Sequence, residues 1–223
     1  PWLPVQAGMH RFVWDLRHEA ATRLHGNKTG SEANRGPLAL PGHYEARLTI
    51  AGRTQSQTFE VINDPRSDAT FEELERQLTL LLAIRDKLSE VYSCLASLRK
   101  VRAQLEHWRH RLADTDIYRD ILDSASSLIE ALDSVESALV LPGEQKDVFG
   151  LHERVRLNEA LASVISVIDS ADAKPTAQAR ELAGQYMRSI DTELSKAADL
   201  LGSSLTAFNT KVIDAKLPAV VPG

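Results

Sequence analysis

The sequence predicts an α+β protein, mainly α: a small antiparallel β unit over residues 1–66, then an up-down four-helix bundle over residues 67–223 with long first and last helices. Three observations carry this. Two compositional regimes meet near Asp64-Pro65-Arg66, with frequent Gly and Pro and an apolar period of two before it and a period of 3.6 after it. From Thr70 to Leu112, Phe71, Leu74, Leu78, Leu81, Arg85, Leu88, Tyr92, Leu95, Leu98, Val101, Leu105, Trp108 and Leu112 recur at three- and four-residue steps. They form a seam on one helix of roughly 60 Å, which needs partners of comparable length. Aromatic residues are only 5% of the chain, so the core is expected to be Leu, Ala, Val and Ile, as in helical bundles.

The β unit comes first. His10 to Arg17 alternates, with Phe12, Trp14 and Leu16 on one face, and predicts a half-buried strand. Glu19 to Leu40 is polar, with Gly26-Asn27 and Gly30-Ser31, and predicts a long loop. Pro41-Gly42 is a turn before a second strand, His43 to Ile50, with Tyr44, Ala46, Leu48 and Ile50 on one side. Ala51-Gly52 supplies a hairpin turn, Gly52 being able to take a positive φ. The return strand, Thr54 to Ile62, places Phe59 and Val61 inward. Three strands with one apolar face do not close a sandwich, so the pattern predicts further strands upstream of Pro1. The start at Pro1 rather than Met agrees with a fragment or processed product.

The helices follow. Thr70 and Glu73 make a capping box that starts the long helix. After a break at Asp114-Thr115-Asp116, Ile117, Ile121, Leu128, Leu132, Val135 and Leu139 form the stripe of a second helix, ended by Leu141-Pro142-Gly143. Glu144 to Gly150 is a loop, and a third helix runs from about Leu151 to Ala171 with Val155, Asn158, Leu161, Ile165 and Ile168 inward. Pro175 suits the first position of a fourth helix with Leu182, Tyr186, Ile190, Leu194, Ala197 and Leu201 as its stripe. Gly202-Ser203-Ser204 is expected to kink or break it before Phe208 and Val212. Short connections predict antiparallel neighbours. The second and third helices then cover only the Leu88–Leu112 half of the first, and the β unit docks against the Phe71–Arg85 half as one rigid body with it.

Composition excludes several function classes. Net charge is −5, but residues 1–66 hold 8 Lys+Arg against 6 Asp+Glu and the remainder holds 18 against 25. The helical part therefore lacks the clustered positive charge of a nucleic-acid binder. The lone Cys94 forms no internal disulfide, and no eighteen-residue apolar run spans a membrane. His107 and His110 share a helix face beside Glu106, but without a third ligand in a metal spacing they read as a polar flank that complements the helix dipole. Asp114, Asp116, Asp120 and Asp123 lack the glycine and terminal glutamate of a calcium loop. There is no GxSxG elbow and no Gly-rich phosphate loop, so neither catalytic residues nor a cofactor or metal site is predicted.

Two places remain ambiguous between structure and ligand. Arg85-Asp86-Lys87 interrupts the apolar seam, with Glu193 and Asp199 as prospective partners in the fourth helix. In Trp14-Asp15-Leu16-Arg17, Trp14 reads as a core anchor, with Asp15 and Arg17 tying loop backbone, more readily than as a sugar platform.

A larger pattern joins these motifs: Trp14-Asp15-Leu16-Arg17, a variable loop, Gly36-Pro37-Leu38-Ala39-Leu40-Pro41-Gly42-His43-Tyr44, Arg47-Leu48-Thr49, Gly52 and Asp64-Pro65-Arg66. It resembles the C-terminal region of large bacterial proteins with sortilin-like, BNR-repeat β-propellers, often labelled glycosyl-hydrolase-like. Ile84 to Glu90, Arg156-Leu157-Asn158 and Pro218 to Pro222 continue the likeness. The resemblance implies a partial Ig-like β unit, similar to that of flagellar hook-capping proteins, followed by a helical tail. It also implies export from a bacterial cell, to the periplasm or beyond, and places the propeller and any glycosidase carboxylates upstream. The expected function is a non-catalytic accessory module that supports the propeller or docks a partner. The alternatives are a carbohydrate-binding module using Trp14 and Tyr44, or part of a glycoside hydrolase. Trp14, Asp15, Arg17, Pro41, Gly42, Tyr44 and Arg85 are the signature residues.

Overall fold

The computed structural model describes residues 6–22, 35–112, 116–140 and 156–217. The protein is 64% helical, with a small two-stranded antiparallel sheet. Strand β1 (Gly42–Ile50) and strand β2 (Arg53–Val61) pair along their whole length, from Gly42 opposite Val61 to Ile50 opposite Arg53. Ala51 and Gly52 between them take φ of 48° and 78°. Two successive positive φ values twist the chain as the flanking strands require, at roughly 1 kcal/mol of strain for the alanine. Tyr44 lies opposite Phe59 on the apolar face, as the alternation predicts.

His10 to Arg17 is not a strand. Its period-two pattern is overridden by local hydrogen bonds: the Arg17 amide donates to Asp15 Oδ1 (3.1 Å), the Trp14 indole donates to Arg17 O (2.9 Å), and Leu16 takes a φ of 60°. The segment contributes one isolated bridge, Arg17 opposite Leu38, and leaves Phe12 and Leu16 exposed. The described ends of the expected Glu19–Leu40 loop are docked: Ala21, Gly36 and Pro37 are buried. Its Gly-Asn and Gly-Ser pairs lie outside the described residues.

Helix α1 (Phe71–Leu112) starts at the expected capping box. Thr70 N–H donates to Glu73 Oε2 (3.0 Å) and Glu73 N–H to Thr70 Oγ1 (3.3 Å). Its buried seam runs through Leu74, Leu81, Ile84, Leu88, Val91, Tyr92, Leu95, Leu98, Val101, Leu105, Trp108 and Leu112. Phe71 is exposed, and Ile84 occupies the seam where Arg85 was expected, so Arg85 flanks the core instead of interrupting it.

A 3-10 turn, Asp116–Tyr118, leads into α2 (Arg119–Leu139). Ile117 is exposed and outside the stripe; Ile121, Leu128, Leu132, Val135 and Leu139 are buried as predicted. Leu141-Pro142-Gly143, the Glu144–Gly150 loop and the expected first turn of the third helix, Val155 included, lie outside the described residues. Helix α3 (Leu157–Ile168) buries Asn158, Leu161 and Ile168. Helix α4 (Ala177–Asp199) begins one residue after Thr176, whose hydroxyl accepts from Ala179 N–H (3.1 Å). Pro175 therefore precedes the N-cap and is not the first helical residue, and Leu182 is exposed while Ala179, Ala183, Ile190 and Ala197 are buried. At Gly202-Ser203-Ser204 the helix does not break. A π turn, Leu200–Ser204, carries it on into α5 (Leu205–Asp214), which buries Leu205, Phe208 and Val212.

The helix order differs from up-down-up-down. Arg99 meets Glu136 and Arg102 meets Asp133, so α2 runs antiparallel to the C-terminal half of α1. Gln77 reaches Ile168 O at the end of α3, so α3 continues in the direction of α2 along the N-terminal half. Lys87 meets Asp191, and Lys211, further along, meets Ser124 near the start of α2. Helix α4 and its continuation α5 therefore run parallel to α1. The prediction of alternation assumes short connections; among the described residues α2 ends at Leu139 and α3 begins at Leu157, both running in the same direction along α1. Helices of 21 and 12 residues lie one after the other along most of the 42-residue α1, and α4 and α5, joined by the π turn, run nearly its whole length.

Candidate functional site

The signature residues fall into two neighbouring groups. At the root of the hairpin, Trp14, Tyr44 and Phe59 form an aromatic cluster with ring centroids 5.2–6.1 Å apart. Such tilted and offset pairs are the arrangements aromatic quadrupoles favour. The polar ends of the two signature rings turn onto nearby backbone: Trp14 Nε1 donates to Arg17 O and Tyr44 Oη donates to Leu40 O (2.6 Å). Trp14 and Tyr44 are half-buried. Pro41 and Gly42 form the entry to β1, with Gly42 at a φ of 154° that glycine accepts readily. Pro41 lines a cleft of about 260 Å³ with Leu16, Leu38, Ile62, Gln77 and Leu78, between hairpin and α1.

The second group is the joint between this segment and the helices. Arg17 donates to Gly36 O (2.8 Å) and pairs with Asp169 (3.4 Å) just past the end of α3. Arg85 donates to Glu19 O (3.2 Å) and to Asp86 Oδ1 (2.8 Å), and Thr22 N–H donates to Ser89 Oγ (3.1 Å). A cavity of about 80 Å³ lies here, bounded by Ala21, Gly36, Leu81, Arg85, Ile165 and Asp169. Within the segment the two stretches of backbone that carry Arg17 and Gly36 approach so closely that a Cβ on Gly36 would sit 1.7 Å from His18 O. Neither Glu193 nor Asp199 partners Arg85: Glu193 pairs with Lys196 (2.8 Å). Of this motif, Lys87 is the cation that reaches another helix, its ammonium meeting Asp191 (2.7 Å) and, within α1, Glu90. Burial opposes its charge, but the two carboxylates outweigh that and raise its pKa.

The remaining motif is structural. Asp64 accepts from the Arg66 amide (2.9 Å) and guanidinium, a side-chain turn that redirects the chain from β2 toward α1. Those bonds hold the Asp64 carboxyl below its usual range. His107 and His110 are exposed, and no metal-holding group of His, Cys, Asp and Glu occurs among the described residues.

Two groups escaped the sequence reading. Glu136 is buried in α2 against Arg99 (2.7 Å), and Gln77 is buried against the end of α3, its amide donating to Ile168 O (2.6 Å) and Ala171 O (2.8 Å). Gln77 carried a signal, since it sits three residues after the buried Leu74 on the seam side of α1.

The hairpin beyond its root is bare. From Glu45 to Thr58 every residue is exposed, including Leu48 and Ile50 on the apolar face, and Phe59 at the root keeps its outer side open. No family model, curated protein or solved structure matches the chain.

Proposed function

We propose that the chain is a non-catalytic accessory module whose hairpin presents a docking face. Following the sequence motifs, we place it after the β-propeller of an exported bacterial protein, as a partial Ig-like unit joined to a helical bundle, where it supports the propeller or docks a partner. The observation that carries this reading is the apolar face of the hairpin: Leu48, Ile50 and Phe59 are 44%, 64% and 37% exposed on a sheet that has two strands among the described residues. Isolated two-stranded hairpins are marginal in water, and an apolar sheet face normally gains a cover. The carboxylates around the joint favour a structural role, since Asp169 serves Arg17 and Asp64 serves Arg66.

The test is capture of a separately produced propeller segment by this chain. Leu48→Asp with Ile50→Asp abolishes capture while helix content and tryptophan fluorescence stay unchanged; equal capture by the variant sinks the reading. Glycan binding through Trp14 and Tyr44 is the alternative, and a glycan-array signal lost in Trp14→Ala without unfolding would replace the docking reading.

A further inference from the structure

The hairpin edge formed by β1 carries a pattern that selects a specific occupant. In a hairpin with a two-residue turn, the residues flanking the turn bond each other, and the bonding alternates from there. Ile50, Leu48, Ala46, Tyr44 and Gly42 therefore point their amides and carbonyls inward to β2, while His43, Glu45, Arg47 and Thr49 point theirs outward. The hydroxyls of Thr49 and Thr54 meet at 2.9 Å, the close side-chain approach of a non-bonded pair, which fixes this phase. The outward backbone groups of these four residues have no backbone partner among the described residues.

We propose that β1 pairs edge to edge with β1 of a second copy of this chain, antiparallel about a two-fold axis through Ala46. The proposal rests on reading the hairpin as an interaction surface, and charge complementarity selects the occupant. With the axis at Ala46, all nine residues of β1 are paired. Glu45 and Arg47 pair with each other along the strand (2.6 Å); across the axis Glu45 then also faces Arg47 of the second copy, and Arg47 faces its Glu45. Directly opposed side chains on a sheet lie about 5 Å apart, within reach of an ion pair. Sliding the register by two residues sets Glu45 against Glu45 or Arg47 against Arg47, which repels. Sliding it by one residue brings inward-bonded groups to the edge, where they cannot pair. On the other face Leu48 lies beside Tyr44 of the copy and Ala46 beside Ala46, so the bare apolar row becomes the middle of a four-stranded sheet. The β2 edge offers no equivalent. Its outward residues are Thr54, Ser56, Thr58 and Glu60, flanked on the apolar side by Gln55 and Gln57. A single pair of strand edges buries less than the ~1,200 Å² of a stable interface, so the dimer forms by mass action at high concentration.

Sedimentation velocity and backbone amide exchange, from about 10 μM to about 1 mM protein, test this. The expected result is a monomer at the low end and a dimer at the high end, with Glu45 and Arg47 amides slowed about tenfold there and Ser56 and Thr58 amides unchanged. Glu45→Arg alone and Arg47→Glu alone abolish the dimer, and an equimolar mixture of the two variants restores it, because each then supplies the charge the other lacks. Near-ultraviolet circular dichroism of the Trp14 cluster checks that both variants keep the hairpin. A monomer throughout, a dimer indifferent to charge reversal, or protection at Ser56 and Thr58 overturns the proposal. Failure here with capture of the propeller segment intact removes self-pairing and leaves the docking reading standing; loss of both removes the hairpin as an interaction surface.

Discussion

Replacing Gln77 by leucine tests how the helical body is locked. Gln77 is 8% exposed, and its amide group holds two carbonyls at the carboxyl end of α3. Leucine has nearly the same volume but no donor. Ile168 is buried, so its carbonyl loses its partner without gaining water, at about 1–3 kcal/mol for an orphaned buried acceptor. Ala171 is exposed and its carbonyl rehydrates, leaving only the net worth of one hydrogen bond, about 1 kcal/mol. The apolar side chain returns part of this, so the expected loss is about 2 kcal/mol, or roughly 4–8 °C in Tm for a chain of this size. Urea denaturation followed by circular dichroism reads it, with an unchanged m-value showing that the effect is on stability. Gln77→Glu adds a pH signature. The neutral acid can still donate one hydrogen bond, while the carboxylate faces carbonyl oxygens, so its folded pKa is raised above the unfolded value near ~4.3. Its stability is then greatest in acid and falls as pH rises through the folded pKa. A Gln77→Leu loss below about 0.5 kcal/mol, or a pH-independent Gln77→Glu, refutes the locking role.

Three further substitutions address the segment, its joint with α1, and the α1–α4 pair beside it. Gly36→Ala drives a methyl group into His18 O and is expected to cost about 2–4 kcal/mol in docking of the segment; accelerated exchange of the His18 and Ala39 amides, with α1 protection intact, reads it, and unchanged exchange refutes it. Arg85→Leu is expected to change stability by less than about 1 kcal/mol in thermal denaturation, since its partners are one exposed carboxylate and one carbonyl; a larger loss makes Arg85 the anchor of the joint. Lys87→Met loses the cross-helix pair with Asp191. Because the folded Lys87 pKa is raised, the stability it adds is present below the unfolded value near ~10.4 and disappears as pH rises through the folded one. Wild type and variant should therefore differ at neutral pH and converge in strong alkali, and a gap that persists there refutes the assignment.

What could be read in the sequence was whatever local chemistry settles by itself. The Thr70–Glu73 box and three- and four-residue spacing over 42 residues determine α1, and the Ala51-Gly52 turn determines the hairpin and its register. Helix content, the small antiparallel sheet and the absence of a membrane-crossing helix among the described residues follow. His10 to Arg17 was misread because its alternation matches a strand, while Asp15 and Trp14 spend their hydrogen bonds on the local backbone. The direction of α4 is not legible in the sequence because it depends on pairs such as Lys87 with Asp191, far apart in sequence. Trp14 and Tyr44 are legible as the aromatic candidates of the β unit; their packing on each other and Asp169 as the partner of Arg17, 152 residues away, are not.

The geometry of the joint bears directly on how the hairpin can act. A two-stranded hairpin on a flexible tether would lose much of its binding energy to the entropy of ordering itself on a partner. Here the root is already ordered: Trp14 packs on Tyr44 and Phe59, Arg17 ties the adjoining segment to Asp169, and Arg85 and Ser89 hold its backbone to α1. The tip, with Leu48 and Ile50, is left to solvent. A fixed root with a bare tip directs docking to β1 beyond Tyr44, where Glu45 and Arg47 alternate with the apolar row. Loosening the root without touching the tip should therefore weaken docking as surely as Leu48→Asp does. Gly36→Ala is that variant, and if it unpins the joint yet leaves capture of the propeller segment unchanged, pre-ordering of the hairpin contributes nothing to its binding.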